Sequence, residues 1–114
     1  MAVISIDWDG TLVDSSVVGK DPVLLPGAKQ AIGLFREKGH KVVIFSCNNP
    51  KWIEKWLQEW GIMVDHVYNE KGKLNADVFV DDKGYHKPFN SGWAGHTEAI
   101  LADERVAEKD NRRW

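Results

Sequence analysis

The feature that most constrains the fold is an alternation between short apolar runs and longer segments with helical periodicity. Lys41–Phe45 is apolar throughout after its first residue, as expected for a strand covered on both faces. The segment after Pro26 instead places apolar residues three and four positions apart, which is the period of an amphipathic helix. This order predicts an α/β fold: a single doubly wound, Rossmann-like, three-layer domain with a mainly parallel sheet.

The predicted elements fill most of the chain. Strands are expected at 3–6, 41–45, 66–68 and 77–80, helices after Pro26, over 51–60 and over about 95–108, and a short extended piece near 87–89. The sequence contains no repeat and no linker, and its 114 residues suit one hydrophobic core. We therefore expect residues 1–114 to form one domain.

Composition excludes several classes of protein. Fifteen basic and 17 acidic residues give a net charge of −2, which provides no general attraction to nucleic acid or anionic membranes. A single cysteine cannot form an internal disulfide, which favours a reducing compartment. No apolar run reaches the length of about 18 residues that a membrane helix needs, and the first residues do not form a signal peptide. We expect a cytoplasmic protein with no membrane partner.

Chemically useful side chains cluster where the predicted strands end. They are Asp7 and Asp9 after the first strand, Ser46 after the second, Asp81 and Asp82 after the fourth, and Lys73 just before the fourth. Ligands of open α/β sheets bind beyond the carboxyl ends of the strands, so these residues are expected to converge. Several neighbouring carboxylates repel one another, and a hard divalent cation such as Mg²⁺ relieves that conflict.

Such a site can transfer phosphoryl groups. Next to a metal ion, one carboxylate can attack phosphorus, and a second acid two residues later can protonate the leaving oxygen and then deprotonate water. A serine hydroxyl and a lysine ammonium can bind the phosphoryl oxygens. Gly10 allows the backbone to turn close to the phosphate.

The segment from Asp7 to Leu12 resembles the DxDGT(L/V) motif of the haloacid dehalogenase (HAD) superfamily, whose members are mostly Mg²⁺-dependent phosphohydrolases. Ser46 resembles the Ser/Thr of the second family motif, and Lys73 resembles the lysine of the third. The pair Asp81–Asp82, which follows an apolar run, resembles the acidic pair of the fourth. The order of these matches and their placement at strand ends make the resemblance strong.

The resemblance implies a phosphomonoester hydrolase that forms an aspartyl-phosphate on Asp7, with Asp9 as general acid and base. The implied metal ligands are Asp7, Asp9 through its backbone carbonyl, Asp81 and Asp82. The implied phosphate-binding residues are Ser46, Lys73, Gly10, Thr11 and Asn48, of which Thr11 would also steady the loop. Two choices stay open: Lys71 competes with Lys73, and either acid of the pair can be the direct metal ligand.

Two departures from the family pattern bear on the substrate. Neither 13–41 nor 47–72 has room for an inserted cap domain, so the chain resembles the small capless members, whose open sites serve large substrates or use a neighbouring subunit as a lid. Asn48 stands where similar small members often carry a basic residue, which predicts a weaker grip on an anionic substrate group.

Other residues have plainer interpretations. Trp52, Trp56 and Trp60 form one helical stripe, which favours core packing over a subunit interface or a base-stacking platform. Strand alternation points Trp8 away from the acids and into the core. Cys47 is expected to be a small buried side chain, and the four histidines, which lack metal-ligand spacing, are expected at the surface or in turns.

Three rival functions remain. The first is a nucleotide or polynucleotide end phosphatase of the same fold. The net charge weakly disfavours a nucleic-acid substrate, but six lysines near the open edge keep this alternative open: Lys20, Lys51, Lys71, Lys73, Lys83 and Lys87. The second is a receiver-like domain, which would need an acid where Ser46 stands. The third is a non-catalytic phosphate- or metal-binding module. The expected partner is a phosphorylated small molecule or macromolecule, and an open site with surplus tryptophan is compatible with a homo-oligomer.

Overall fold

The computed structural model of the chain describes residues 1–14, 21–46, 48–68, 76–80, 92–103 and 106. In chain order its elements are β1 (Val3–Asp7), α1 (Ala28–Glu37), β2 (Lys41–Phe45), α2 (Pro50–Trp60), β3 (His66–Tyr68), β4 (Val78–Val80) and α3 (Gly92–Ala102). The strands lie within one residue of their predicted bounds. Helix α3 begins at Gly92 rather than near Gly95, and the extended piece predicted near 87–89 lies outside the described residues.

The described strands form a sheet in the order β3-β2-β1-β4, with every neighbouring pair parallel. The chain builds outward from β1 to β3 and then returns to place β4 on the other side of β1. This reversal is the topology of a doubly wound sheet, whose ligands bind in the crevice beyond the carboxyl ends of the strands on either side of the reversal, here β1 and β4. The predicted α/β fold is confirmed.

The core lies between the sheet and the helices that pack on it. Helix α1 packs on β2, α2 on β3, and α3 on α1. The buried residues of α1 are the ones its periodicity predicts: Ala28, Ala31, Ile32 and Phe35. Complete burial of one large aliphatic or aromatic side chain stabilises a fold by about 1.5–3 kcal/mol, so these contacts fix the helices against the strands. Among the described residues, none of the helices is long and apolar enough to span a membrane.

Two aspartates hold the amino ends of the central strands. The Asp65 carboxylate accepts from the Val42 N–H at 2.8 Å, and the Asp65 N–H donates to the Val42 carbonyl at 2.8 Å. Asp77 makes the same pair of bonds with Val3, at 2.8 and 2.9 Å. Asp65 precedes β3 and bonds to the start of β2, and Asp77 precedes β4 and bonds to the start of β1. We call each pair of hydrogen bonds an aspartate clamp. The two clamps fix the strand register at the edge of the sheet opposite the candidate site.

The prediction that every histidine lies at the surface or in a turn is wrong for His40. Its side chain is buried, and its Nδ1 accepts a 3.1 Å hydrogen bond from the N–H of Ala2, which is also buried. A buried N–H needs an acceptor, and the imidazole supplies one at the start of β1.

Candidate active site

The candidate site is built on residues 7–13, here called the acid loop, which continue from the carboxyl end of β1. Asp7 is the last residue of β1 and is half-buried, whereas Asp9 is exposed. Asp7 stands in register with Phe45, the last residue of β2, so the two strands end at the same level. The acids therefore lie beside the crevice created by the reversal of strand order, as the sequence predicts.

Backbone hydrogen bonds fold the acid loop into a tight turn. The Trp8 carbonyl accepts from the N–H groups of Leu12 and Val13, both at 3.1 Å, and the Gly10 N–H donates to the Val13 carbonyl at 2.9 Å. Gly10 has a φ of 76°, a left-handed conformation that is strained for residues with a Cβ. The glycine of the motif is therefore required by the turn itself.

Trp8, between the two acids, anchors the loop to α2. Its side chain is 1% exposed, as predicted for a residue that points into the core. The ring stacks on Trp60, with centroids 5.8 Å apart, and meets Trp52 edge-on at 5.9 Å. Burial of the Trp8 ring in this aromatic cluster fixes the backbone between the two acids, of which Asp7 is half-buried and Asp9 is exposed.

The remaining tryptophans of α2 complete that cluster. Trp56 and Trp60 pack partly buried against the core, with ring centroids 5.7 Å apart, and the predicted core packing is confirmed for them. Trp52 is 40% exposed, so one part of its ring contacts Trp8 and another part faces solvent. The residues of α2 that are buried are Ile53 and Leu57.

Trp93 of α3 fastens the far end of the acid loop. Its indole N–H donates a 2.9 Å hydrogen bond to the carbonyl of Thr11, and both residues are buried. The sequence predicts no role for Trp93. The bond joins positions 82 residues apart, and no local pattern around either residue predicts it. The Thr11 hydroxyl is buried and has no hydrogen-bond partner among the described residues. The Thr11 carbonyl thus joins the acid loop to α3.

Ser46 brings the end of β2 to the same edge of the sheet. Its backbone N–H donates to the Tyr68 carbonyl at 3.1 Å, which ties it to β3. Its side-chain oxygen accepts from the N–H of Asn48, also at 3.1 Å. Because that bond uses only a lone pair, the hydroxyl proton can still be donated to a ligand.

Asn48 connects the ends of the two central strands. Its side-chain Nδ2 donates to Oδ2 of Asp9 at 3.3 Å, while its backbone N–H holds Ser46. The next residue, Asn49, caps α2 by accepting from the Lys51 N–H at 2.9 Å, with Pro50 in the first turn. The structure therefore brings together Asp9, Ser46 and Asn48 from the predicted site.

Four other residues of the predicted site lie outside the described residues: Lys73, its rival Lys71, Asp81 and Asp82. Cys47, which is predicted to be a small buried side chain, also lies outside them. Val80 ends β4, next to β1, so Asp81 and Asp82 directly follow that strand in sequence. Within the described part of the chain, no group of three or more His, Cys, Asp or Glu side chains is arranged to hold a metal ion.

Comparison with known proteins agrees with this architecture. The sequence matches the family model for haloacid dehalogenase-like hydrolases over residues 16–111, a span that begins after the acid loop. The structure of a conserved protein from Bacteroides thetaiotaomicron is similar, with a TM-score of 0.72 and 22% identity. The alignment covers 99% of this chain and 98% of that one, and at this identity it supports the fold alone. No curated protein matches the chain.

Proposed function

The chain belongs to the haloacid dehalogenase-like hydrolase family, and we propose that it is a Mg²⁺-dependent phosphomonoester hydrolase that works through an aspartyl-phosphate on Asp7. The observation that carries this proposal is the connection of the acid loop to the end of β2. Asn48 contacts both Asp9 and Ser46, so an acid and a hydroxyl donor lie beside the strand that ends in Asp7. This is the donor and acceptor set that phosphoryl transfer requires.

The proposed reaction has two displacements at phosphorus. A carboxylate oxygen of Asp7 attacks, and the P–O ester bond breaks as Asp9 protonates the leaving oxygen. Asp9 then removes a proton from a water that attacks the same phosphorus, and the acyl phosphate bond breaks with its electron pair returning to Asp7. The products are an alcohol and inorganic phosphate, and both aspartates regain their starting states.

Phosphate binding falls to groups around the acid loop. Ser46 can donate its hydroxyl proton to a phosphoryl oxygen, because its bond with the Asn48 N–H uses an oxygen lone pair and not that proton. We assign Lys73 as the cation that offsets the charge spread over the transferring group. Gly10 leaves the turn without a Cβ that would crowd a bound phosphate. The buried Thr11 supports the loop through the bond from Trp93 to its carbonyl.

The oxygen-rich donor set fits Mg²⁺. Asp7 is half-buried at the sheet edge, and hard divalent cations prefer carboxylate and carbonyl oxygens. We assign Asp7, the backbone carbonyl of Asp9 and the pair Asp81–Asp82 to the metal site, with one acid of that pair as the direct ligand. Bound Mg²⁺ neutralises phosphate charge and so allows an anionic nucleophile to approach phosphorus.

The connection between β2 and β3 contains α2 and no inserted cap domain. This connection therefore places no cap domain over the carboxyl ends of the strands. We expect the site to accept phosphate esters of different sizes. A suitable panel is p-nitrophenyl phosphate, mononucleotides, sugar phosphates and a 3′-phosphorylated oligonucleotide.

Each ester is incubated with the protein in Mg²⁺, after EDTA treatment, and after Mg²⁺ is restored. We expect phosphate release from at least one ester, loss of activity with EDTA and recovery with Mg²⁺. Hydrolysis that is unaffected by EDTA would contradict the metal assignment. No hydrolysis of any ester, together with stabilisation by Mg²⁺ and BeF₃⁻, would instead support a non-catalytic binding module.

A further inference from the structure

We infer that Asn48 is a positioning residue that orients the carboxylate of Asp9 for proton transfer to the leaving group. The inference rests on the proposed function. It assigns to Asn48 a role in proton transfer instead of the phosphate contact that its place after Ser46 suggests. The two roles predict different dependence on the leaving group, so they can be separated.

The contact geometry favours the positioning role. Nδ2 of Asn48 lies 3.3 Å from Oδ2 of Asp9, within hydrogen-bond distance. Oδ2 of Asp9 can accept this bond both in the carboxylate and in the acid protonated on Oδ1, so the amide nitrogen is the end of Asn48 that suits Asp9. The bond engages Oδ2 and leaves Oδ1, which carries the proton when Asp9 acts as the acid, for the ester oxygen.

The backbone around Asn48 is held on both sides. Its own N–H donates to Ser46 Oγ at 3.1 Å, and the next residue, Asn49, is fixed as the cap of α2. Asp9, in contrast, is exposed and lies in a loop. An exposed carboxylate samples several orientations, and a donor on a fixed backbone selects one of them. Since the amide is neutral, it orients Asp9 without adding a cation to the site.

This role makes a prediction about leaving groups. A p-nitrophenolate ion leaves readily without a proton, whereas an alkoxide needs one from Asp9 as the P–O bond breaks. Loss of the Asn48 amide is therefore expected to slow cleavage of alkyl phosphates more than cleavage of p-nitrophenyl phosphate. The expected loss for the alkyl ester is about 10- to 100-fold, the range for a hydrogen bond to a charged group.

The test compares Asn48→Ala with Asn49→Ala, the adjacent asparagine that caps α2. The measured quantity is kcat/KM in Mg²⁺ for p-nitrophenyl phosphate and for glycerol phosphate, because kcat/KM covers steps only up to the first irreversible one. Inhibition by inorganic phosphate is measured in parallel. We expect Asn48→Ala to lose activity selectively on glycerol phosphate, with unchanged phosphate inhibition, and Asn49→Ala to change both esters equally.

Three results would overturn the inference. An equal loss on both esters with weaker phosphate inhibition would make Asn48 a phosphate ligand. The same selective loss in Asn49→Ala would show that the effect comes from the backbone. If the wild-type protein cleaves neither these two esters nor the others in the panel, the proposed function fails and this inference fails with it, whereas the first two results leave the proposed function intact.

Discussion

The indole N–H of Trp93 donates a 2.9 Å hydrogen bond to the carbonyl oxygen of Thr11, joining α3 to the acid loop across 82 positions of sequence. Both residues are buried, so water cannot replace the bond. Trp8 anchors the start of the same loop in the aromatic cluster of α2. Asp9 thus lies between two buried anchors, which restricts how far the loop can move.

Trp93→Phe tests the second anchor. Phenylalanine retains an aromatic ring but leaves the buried Thr11 carbonyl without its donor, at an expected cost of about 1–3 kcal/mol in the free energy of unfolding. Urea denaturation measures this loss. Trp52→Phe is the matched control, because the Trp52 ring is 40% exposed and meets the loop edge-on at Trp8, a ring contact that phenylalanine can retain. Equal stability of Trp93→Phe and wild type would refute the anchoring role.

Two glycine substitutions are expected to act in opposite directions. Gly10 has a φ of 76°, so Gly10→Ala strains the acid loop and is expected to cost about 1–2 kcal/mol. Gly33 is exposed within α1, and a Cβ added there meets no atom within 4 Å. Gly33→Ala is therefore expected to stabilise the protein by about 0.5–1 kcal/mol, because alanine favours the helix. Thermal or urea unfolding of the two variants checks both signs, and a stabilising Gly10→Ala would contradict the described turn.

The clamp at the opposite edge of the sheet can be tested at Asp77. Asp77→Ala removes the acceptor of the Val3 N–H and is expected to lower the free energy of unfolding by about 1–3 kcal/mol. Asp77→Asn retains an oxygen acceptor at the same place, so its loss is expected to be smaller. Chemical denaturation separates the two variants. An alanine variant as stable as the wild-type protein would show that the bond from Val3 to Asp77 is energetically unimportant.

The strands could be predicted because each is a short apolar run bounded by polar or turn residues. The edge that carries Asp7, Asp9 and Ser46 followed from the parallel order of those strands. The helix predicted over 51–60 also agrees with α2 to within one residue, since its ends depend on the local capping residues Asn49 and Gly61.

Contacts between distant segments could not be predicted in this way. The bond from Trp93 to Thr11 and the burial of His40 against Ala2 depend on how remote segments pack. The start of α3 was also predicted too late, because glycines at 92 and 95 have low helix propensity and its position is set by tertiary packing. The side-chain bond between Asn48 and Asp9 depends on rotamers, which no spacing of residues reveals.

The most direct test of the proposed function is acid quenching of the Mg²⁺-loaded protein during turnover of a ³²P-labelled ester, with Asp7→Asn beside wild type. Asp21→Asn, the same change at an exposed aspartate outside the site, is the matched control. We predict an acid-stable, base-labile phosphoprotein in wild type and Asp21→Asn. In Asp7→Asn we predict no labelled protein and a loss of turnover of at least about 10³-fold. Labelled protein or near-normal turnover in Asp7→Asn would contradict the assignment of Asp7 as the nucleophile.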